Sequence, residues 1–397
     1  MTNVLAEVAA KQNATAKSDA PRRTSSRKSA PVATTATDAI VPAGLDAGNS
    51  CAVVSFGITA DDVVTMPSCV HAIPKPDSGE LLSCPPKTFQ DGSGTTLEMG
   101  STVFYVGQSA IDAGGSLATW TGSASNVNKP KFSPLFLISG AVSRFPHARH
   151  IKLFIYAGMH QASIEPAMRQ ALSGSHHAFI LNTTESGDQT RREVVVEVQV
   201  SKILYEDQGA LFNASHISPD GGTTYLVPRN KKVAVIGIGG GTTNVSVYEG
   251  ANPIRVPVPS EIGGLKLIRE ICQHPSLTKM LSRAGYHDIG GAPFDLVKAG
   301  IENGTMMIGE TGISFKSVYE LLVEPYLISP VISHASSWFK PSDVAAILVT
   351  GGGAKMPVVV DNLRHHFPKV VTTNMGHIDT PIGFYRLAQR ALAKLGK

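Results

Sequence analysis

Val233-Ala234-Val235-Ile236-Gly237-Ile238-Gly239-Gly240-Gly241-Thr242-Thr243-Asn244-Val245-Ser246-Val247-Tyr248 decides the fold. An apolar run enters three consecutive glycines, and the chain leaves them in strict alternation, which predicts strand, tight turn, strand. A dinucleotide-binding turn is excluded, because it must open a helix. Its GxGxxG pattern also fails, since Thr242 stands where the last glycine would fall. No GxxxxGK[ST] occurs, so a Walker-type phosphate loop is excluded as well.

Working outward, the same unit occurs about 190 residues earlier, a spacing that points to internal duplication. Gly44-Leu45-Asp46-Ala47-Gly48-Asn49-Ser50 followed by Cys51-Ala52-Val53-Val54-Ser55-Phe56 is again strand, turn, strand. A third glycine cluster, Gly351-Gly352-Gly353, follows the apolar strand Ala345–Thr350. Two similar halves facing one another leave a cleft, and each offers it one glycine turn. Backbone N–H groups in such turns approach phosphates closely, because glycine accepts conformations that other residues resist.

Further strands are predicted at Val63–Met66, Thr102–Val106, Lys152–Tyr156, Ala178–Asn182 and Glu193–Leu204. Helices are predicted at Ile164–Leu172, Gly264–Gln273, Lys316–Phe339, Val358–Phe367 and Pro381–Leu395.

The 397 residues fit two domains. Hydrophobic residues make up 42%, enough for real cores, while the 17% charged leaves a surface suited to protein contacts. Residues 1–40 carry six basic and three acidic side chains, 6 − 3 = +3, out of a chain total of +4. The body is therefore nearly neutral and lacks the excess charge of a domain that coats nucleic acid. Residues 1–42, rich in Ala, Ser, Thr, Lys and Arg, are expected to form a disordered basic tail, where any direct nucleic-acid contact would lie. Order is expected from Ala43. Cys51, Cys69, Cys84 and Cys272 lack CxxC spacing and read as buried thiols in a reducing compartment. No apolar run approaches a membrane span, and Glu7 and Lys11 interrupt the place of a signal peptide, so a cytoplasmic location is expected.

Three stretches resemble motifs of the actin superfamily, which includes MreB and the heat-shock chaperone ATPases. Leu45-Asp46-Ala47-Gly48-Asn49 resembles the first phosphate motif, Gly237–Val245 the second, and Leu348–Ala354 the adenosine motif. Met66-Pro67-Ser68, Tyr105-Val106-Gly107, Leu204–Leu211 and Ile262-Gly263-Gly264 are similar to elements of the ParM/StbA plasmid-segregation type. The resemblance covers residues 43–395. It implies an α/β, duplicated actin-like (ribonuclease H-like) fold with a nucleotide cleft between two domains. Domain I would span 43–229 and receive the C-terminal helix 375–397, and domain II would span 230–374.

The resemblance also implies roles. Asp46 would hold Mg²⁺ through water, while Gly48, Asn49 and Ser50 offer donors to the phosphates of ATP. Gly239, Gly240, Gly241, Thr242 and Thr243 would grip them from the other side, with Gly263 and Gly264 bordering the nucleotide. Gly351, Gly352 and Gly353 would pack on adenine and ribose. Glu206 would polarise the attacking water, with Gln208 a second candidate. ATP would be hydrolysed to ADP, GTP being the alternative nucleotide. The implied partners are further copies of the chain in a filament and a DNA-binding adaptor protein.

The second phosphate motif departs from its usual form, DxGGGTTD. Its opening aspartate is Gly237 and its later one Asn244. A lost carboxylate weakens Mg²⁺ positioning, so slow hydrolysis and long-lived filaments are expected. Two other readings stay open: a nucleotide-binding scaffold with little hydrolysis, and a small-molecule kinase of the same fold.

Overall fold

The computed structural model describes residues 39–75, 94–115, 124–183, 189–218, 225–257, 259–285, 291–373 and 375–396. Residues 1–38 of the expected tail, and Cys84, lie outside them.

Two sheets organise the chain. The first contains β1 (Val41–Ala47), β2 (Cys51–Ser55), β3 (Val63–Pro67), β4 (Val70–Pro74), β5 (Gly94–Met99), β6 (Thr102–Gly107), β7 (His150–Met159), β8 (Gly174–Thr183) and β9 (Gln189–Tyr205). Its spatial order is β3-β2-β1-β7-β9-β8-β5-β6-β4. The second contains β10 (Lys232–Ile238), β11 (Thr243–Glu249), β12 (Asn252–Arg255), β13 (Ala346–Thr350) and β14 (Val370–Val371), in the order β12-β11-β10-β13-β14.

The duplication is visible in these orders. β1 pairs antiparallel with β2 and parallel with β7, just as β10 pairs antiparallel with β11 and parallel with β13. The hairpin registers correspond residue by residue. Asp46 lies opposite Val53 and Gly237 opposite Asn244, each with one further pair before its turn. Asp46 and Gly237 therefore hold equivalent positions in the two halves.

The helices are α1 (Gln108–Asp112), α2 (Ala124–Arg144), α3 (Glu165–Leu172), α4 (Glu206–Ala214), α5 (Gly264–Gln273), α6 (Pro275–Arg283), α7 (Phe294–Glu302), α8 (Lys316–Val323), α9 (Ser329–Trp338), α10 (Val359–His366) and α11 (Asp379–Lys394). On one face of the first sheet, Phe136, Ile138 and Ala141 of α2 join Leu45, Val54 and Ile155 in a core from which water is excluded. α11 covers the other face, with Phe384 and Ala388 against Phe154 and Tyr156. A Cβ on Gly44 of β1 would collide with the α11 backbone at Pro381, so glycine is what lets this helix lie on the strand. Helices α5 to α10 bury one face of the second sheet, while Ala210, Leu211 and Ala214 of α4 pack on its other face.

Thus α4, which leaves the first sheet, reaches the second, and α11, which follows the second, returns to the first. The two helices touch backbone to backbone: a Cβ on Gly383 would strike the carbonyl of Gly209.

The structure departs from expectation in several places, and β7, β8 and β9 each run longer at both ends than expected. β1 starts at Val41, not Ala43, because Val41 and Pro42 already pair with Leu153 and Phe154 of β7. The helix expected over Lys316–Phe339 is interrupted by a π-helical turn at Glu324–Ile328. Pro325 has no N–H to give and would crowd a regular turn, and the wider turn accommodates it. The long helix α2 was not anticipated. Pro130 and Pro134 lie inside it, and burial of its apolar face outweighs their local cost.

Candidate functional site

A cavity of about 420 Å³ opens where the two glycine turns, the first turns of α4 and α11, and the Gly351–Gly353 segment converge. That is within the size range of small-molecule sites. Asp46, Gly48, Asn49, Ser50, Glu206, Gly239, Gly240, Gly241, Thr242, Gly264, Gly351, Gly352 and Gly353 all lie on its wall. Residues 200 apart in sequence meet here because the duplicated hairpins point their turns at one another.

Three of the expected residues do not reach the wall. Thr243 is buried and donates its hydroxyl to the Ile262 carbonyl at 2.7 Å. Gly263 backs the turn: its missing Cβ would collide with the Gly240 carbonyl. The Gln208 side chain accepts from the Tyr205 N–H at 3.1 Å, closing the first turn of α4, and donates to the Ala251 carbonyl at 3.4 Å.

The two turns face each other closely. A Cβ on Gly240 would stand 2.7 Å from Ser50 Cβ, and one on Gly241 2.6 Å from Asn49 Nδ2. Among the described residues, the backbone N–H groups of Gly48, Ser50, Gly240, Gly241 and Thr242 donate to no protein acceptor. The segment 263–265 fixes the second turn instead by donating to its carbonyls, Gly264 N–H to Gly239 and Leu265 N–H to Gly240 at 3.1 and 2.8 Å. The carbonyls of Gly239 and Gly240 are thus occupied, and the unpaired N–H groups belong to residues that line the cavity. Such an array, beside helix N-termini with their partial positive charge, suits an anion.

Deeper in, the charges are unusual. Lys129 of α2 has a side chain 2% exposed and forms an ion pair with Glu206, at the start of α4. Its Nζ lies 3.9 Å from Asp46 Oδ1, an atom with no hydrogen-bond partner among the described residues. Burial pushes the Asp46 carboxyl up to about 7, with Glu206 adding to the rise and Lys129 opposing it. For Glu206 burial acts in the same direction, but Lys129 and His160 outweigh it and hold the carboxyl below its ordinary value. His160 is pushed down to about 4 by burial and by Lys129. Asp207, 2% exposed, accepts a 2.6 Å hydrogen bond from Ser246 of β11. Burial nevertheless pushes it up to about 7.

Lys129, His160 and Asp207 were not singled out from sequence. Lys129 stands just before Pro130 and two residues from Lys131, and looks like an ordinary solvated charge. Nothing in the linear order tells that Asp207 faces the second sheet.

A divalent cation fits this end of the cavity. Asp46 offers a buried, unsatisfied carboxylate oxygen, the donor type that magnesium prefers. No group of three or more His, Cys, Asp or Glu side chains among the described residues is arranged to hold a metal unaided. The fit is therefore to a cation that brings phosphate and water oxygens with it.

A two-sheet, duplicated α/β chain with its cavity between paired glycine turns has the actin-like fold. No protein-family model and no curated protein sequence matches the chain, but solved structures do. The actin-like protein Alp7A superposes with a TM-score of 0.63 at 14% identity, covering 89% of this chain and 97% of that one. ParM of Bacillus thuringiensis with ATP gives 0.56 at 14% identity, covering 89% and 99%. The Alp12 filament structure gives 0.54 at 15% identity, covering 88% and 98%.

Proposed function

We propose that the chain is an actin-like ATPase that binds ATP and Mg²⁺ in this cavity and assembles into filaments. The observation that carries the reading is the pair of glycine turns on the cavity wall with unpaired N–H groups, set against the Asp46–Lys129–Glu206 cluster. Gly48, Asn49 and Ser50 would hold the phosphates from one side and Gly239 to Thr243 from the other. Gly264 would border the nucleotide, and Gly351 to Gly353 would lie along adenine and ribose. Asp46 would face the magnesium, which, when bound, neutralises phosphate charge and orients the reacting oxygens.

Glu206 would orient the attacking water and accept its hydrogen bond. That role needs an ionised carboxylate, and Lys129 keeps it so despite burial. Water orientation and charge neutralisation are the main protein tasks in such a transfer. Gln208, turned toward Tyr205 and Ala251, suits a role in fixing the helix start that presents Glu206.

Filament formation draws support from the fold shared with the Alp12 filament structure, and ATP as ligand from ParM with ATP. DNA segregation through an adaptor protein is the finer reading, in keeping with the nearly neutral body. No helix among the described residues is long and apolar enough to cross a membrane. Gly237 favours one second reading, a scaffold that binds nucleotide and hydrolyses it little.

Sedimentation and negative-stain microscopy with ATP, GTP, ADP, a non-hydrolysable ATP analogue and no nucleotide, with phosphate release followed in parallel, test the proposal. Filaments that need ATP and shorten as phosphate appears are expected. Filaments without phosphate release select the scaffold, and absence of filaments in every condition ends the polymerisation reading.

A further inference from the structure

Gly237 is where the two halves of the molecule stop being alike. In the first half, Asp46 projects its carboxylate into the cavity from the residue before the last hairpin pair. In the second half that position carries no side chain at all. The space beside it is nevertheless filled: a Cβ on Gly237 would stand 2.9 Å from Asp207 Oδ1. The carboxylate comes from α4, the helix that reaches the second sheet, and Ser246 of the neighbouring strand β11 holds its other oxygen at 2.6 Å. Asn244, directly across the ladder from Gly237, is the next nearest residue, and its Oδ1 is buried with no hydrogen-bond partner among the described residues.

We propose that Asp207 supplies, from α4, the second carboxylate that positions the magnesium of a bound magnesium–nucleoside triphosphate, in the place that Gly237 leaves open. This rests on the nucleotide reading of the cavity. Three observations support it. Asp207 lies on the cavity wall together with Asp46 and Glu206. Asp207 is 2% exposed and forms no ion pair among the described residues, so only Ser246 and the start of α4 offset the cost of burying its carboxylate. Finally, Asp46 and Glu206 share one buried cation, Lys129, and Asp207 adds a third carboxylate on the same wall, so the cluster carries 3 − 1 = 2 formal negative charges when ionised, which a divalent cation balances.

The consequence is that Gly237 and Asp207 form a matched pair. Gly237→Asp alone would press a new side chain against Asp207, two carboxylates in one space. The carboxylate can instead be moved across by combining Gly237→Asp with Asp207→Ala.

The experiment measures the affinity of a fluorescent ATP analogue with magnesium and with chelator, in wild type, Asp207→Asn, Gly237→Asp and the Gly237→Asp/Asp207→Ala double variant. Manganese binding, read by electron paramagnetic resonance, serves as a second signal. Asp207→Asn keeps the shape and the acceptor for Ser246. It should lower the magnesium-dependent gain in affinity about ten- to hundredfold, cause no loss of affinity in chelator, where one less negative charge faces the phosphates, and weaken manganese binding in parallel. The double variant should recover most of that gain, whereas Gly237→Asp alone should not. An Asp207→Asn protein with the wild-type response to magnesium, or with equal losses in magnesium and chelator, would overturn the assignment and leave Asp207 a packing residue. If wild type binds no nucleotide under any condition, the reading beneath it fails first, and that result is distinguishable from both.

Discussion

Replacing Lys129 with methionine tests the electrostatic core of the site. Methionine keeps the length and apolar stem of the side chain and removes only the charge. In the wild type the ammonium is almost fully buried, paired with Glu206 and 3.9 Å from Asp46 Oδ1. Removing one partner of a buried pair costs about 3–5 kcal/mol, because the remaining charge keeps its desolvation penalty. At Lys129 two carboxylates lose their counter-charge together, so the loss at neutral pH should lie at the upper end of that range.

The sign of the pH dependence gives a second handle. In the wild type Glu206 is held below its ordinary value. Its contribution to stability is therefore present above the unfolded value and lost as pH falls through the folded one. In Lys129→Met burial is opposed only by His160, and the carboxyl should rise. Its protonation on acidification then relieves the folded state, and the gap between the two proteins should narrow toward mildly acid pH. Urea denaturation at neutral and mildly acid pH measures both effects. A Lys129→Met protein as stable as wild type at neutral pH, or a gap independent of pH, would refute the buried-pair account.

Two further outcomes can be stated. His160 is pushed down to about 4 by burial and by Lys129, so the unfolded chain binds the extra proton between the ordinary histidine value and that one. Stability should therefore fall across that window as pH is lowered, and His160→Gln should remove one proton's worth of the slope in a denaturation series. Gly383→Ala sets two effects against each other. Alanine improves helix propensity by about 1 kcal/mol, but its Cβ would strike the Gly209 carbonyl where α4 and α11 touch. Overpacking of this kind costs about 1–3 kcal/mol or more. A lowered melting temperature is expected, and a raised one would show that the crossing is looser than described.

The hairpins and glycine turns were legible in the sequence because their signal is local. Glycines between an apolar run and an alternating run mark a strand–turn–strand unit, and its recurrence around Gly48 and around Gly239–Gly241 reveals the duplication. The helix Ala124–Arg144 was hidden by Pro130 and Pro134, whose local penalty is overcome only by a core assembled from distant strands. Lys129 was hidden for the same reason, since its partners lie on β1 and α4. The substitution at Gly237 was visible as a missing carboxylate. That a carboxylate stands beside it, brought from Asp207 by a helix that leaves one sheet for the other, depends on tertiary packing that no motif encodes. Gln208 illustrates the converse: the resemblance of Leu204–Leu211 to a family motif suggested chemistry, yet its hydrogen bonds hold the helix start.

The central claim is that the cavity between the two sheets holds ATP with its base along Gly351–Gly353. Photolabelling with an azido-adenine analogue of ATP, followed by peptide mapping, tests it most directly. The label should fall on peptides carrying Gly351–Met356 or Lys298–Glu302, which line one cavity, and excess ATP should abolish it. Labelling confined to peptides outside that wall, or unaffected by ATP, would contradict the account.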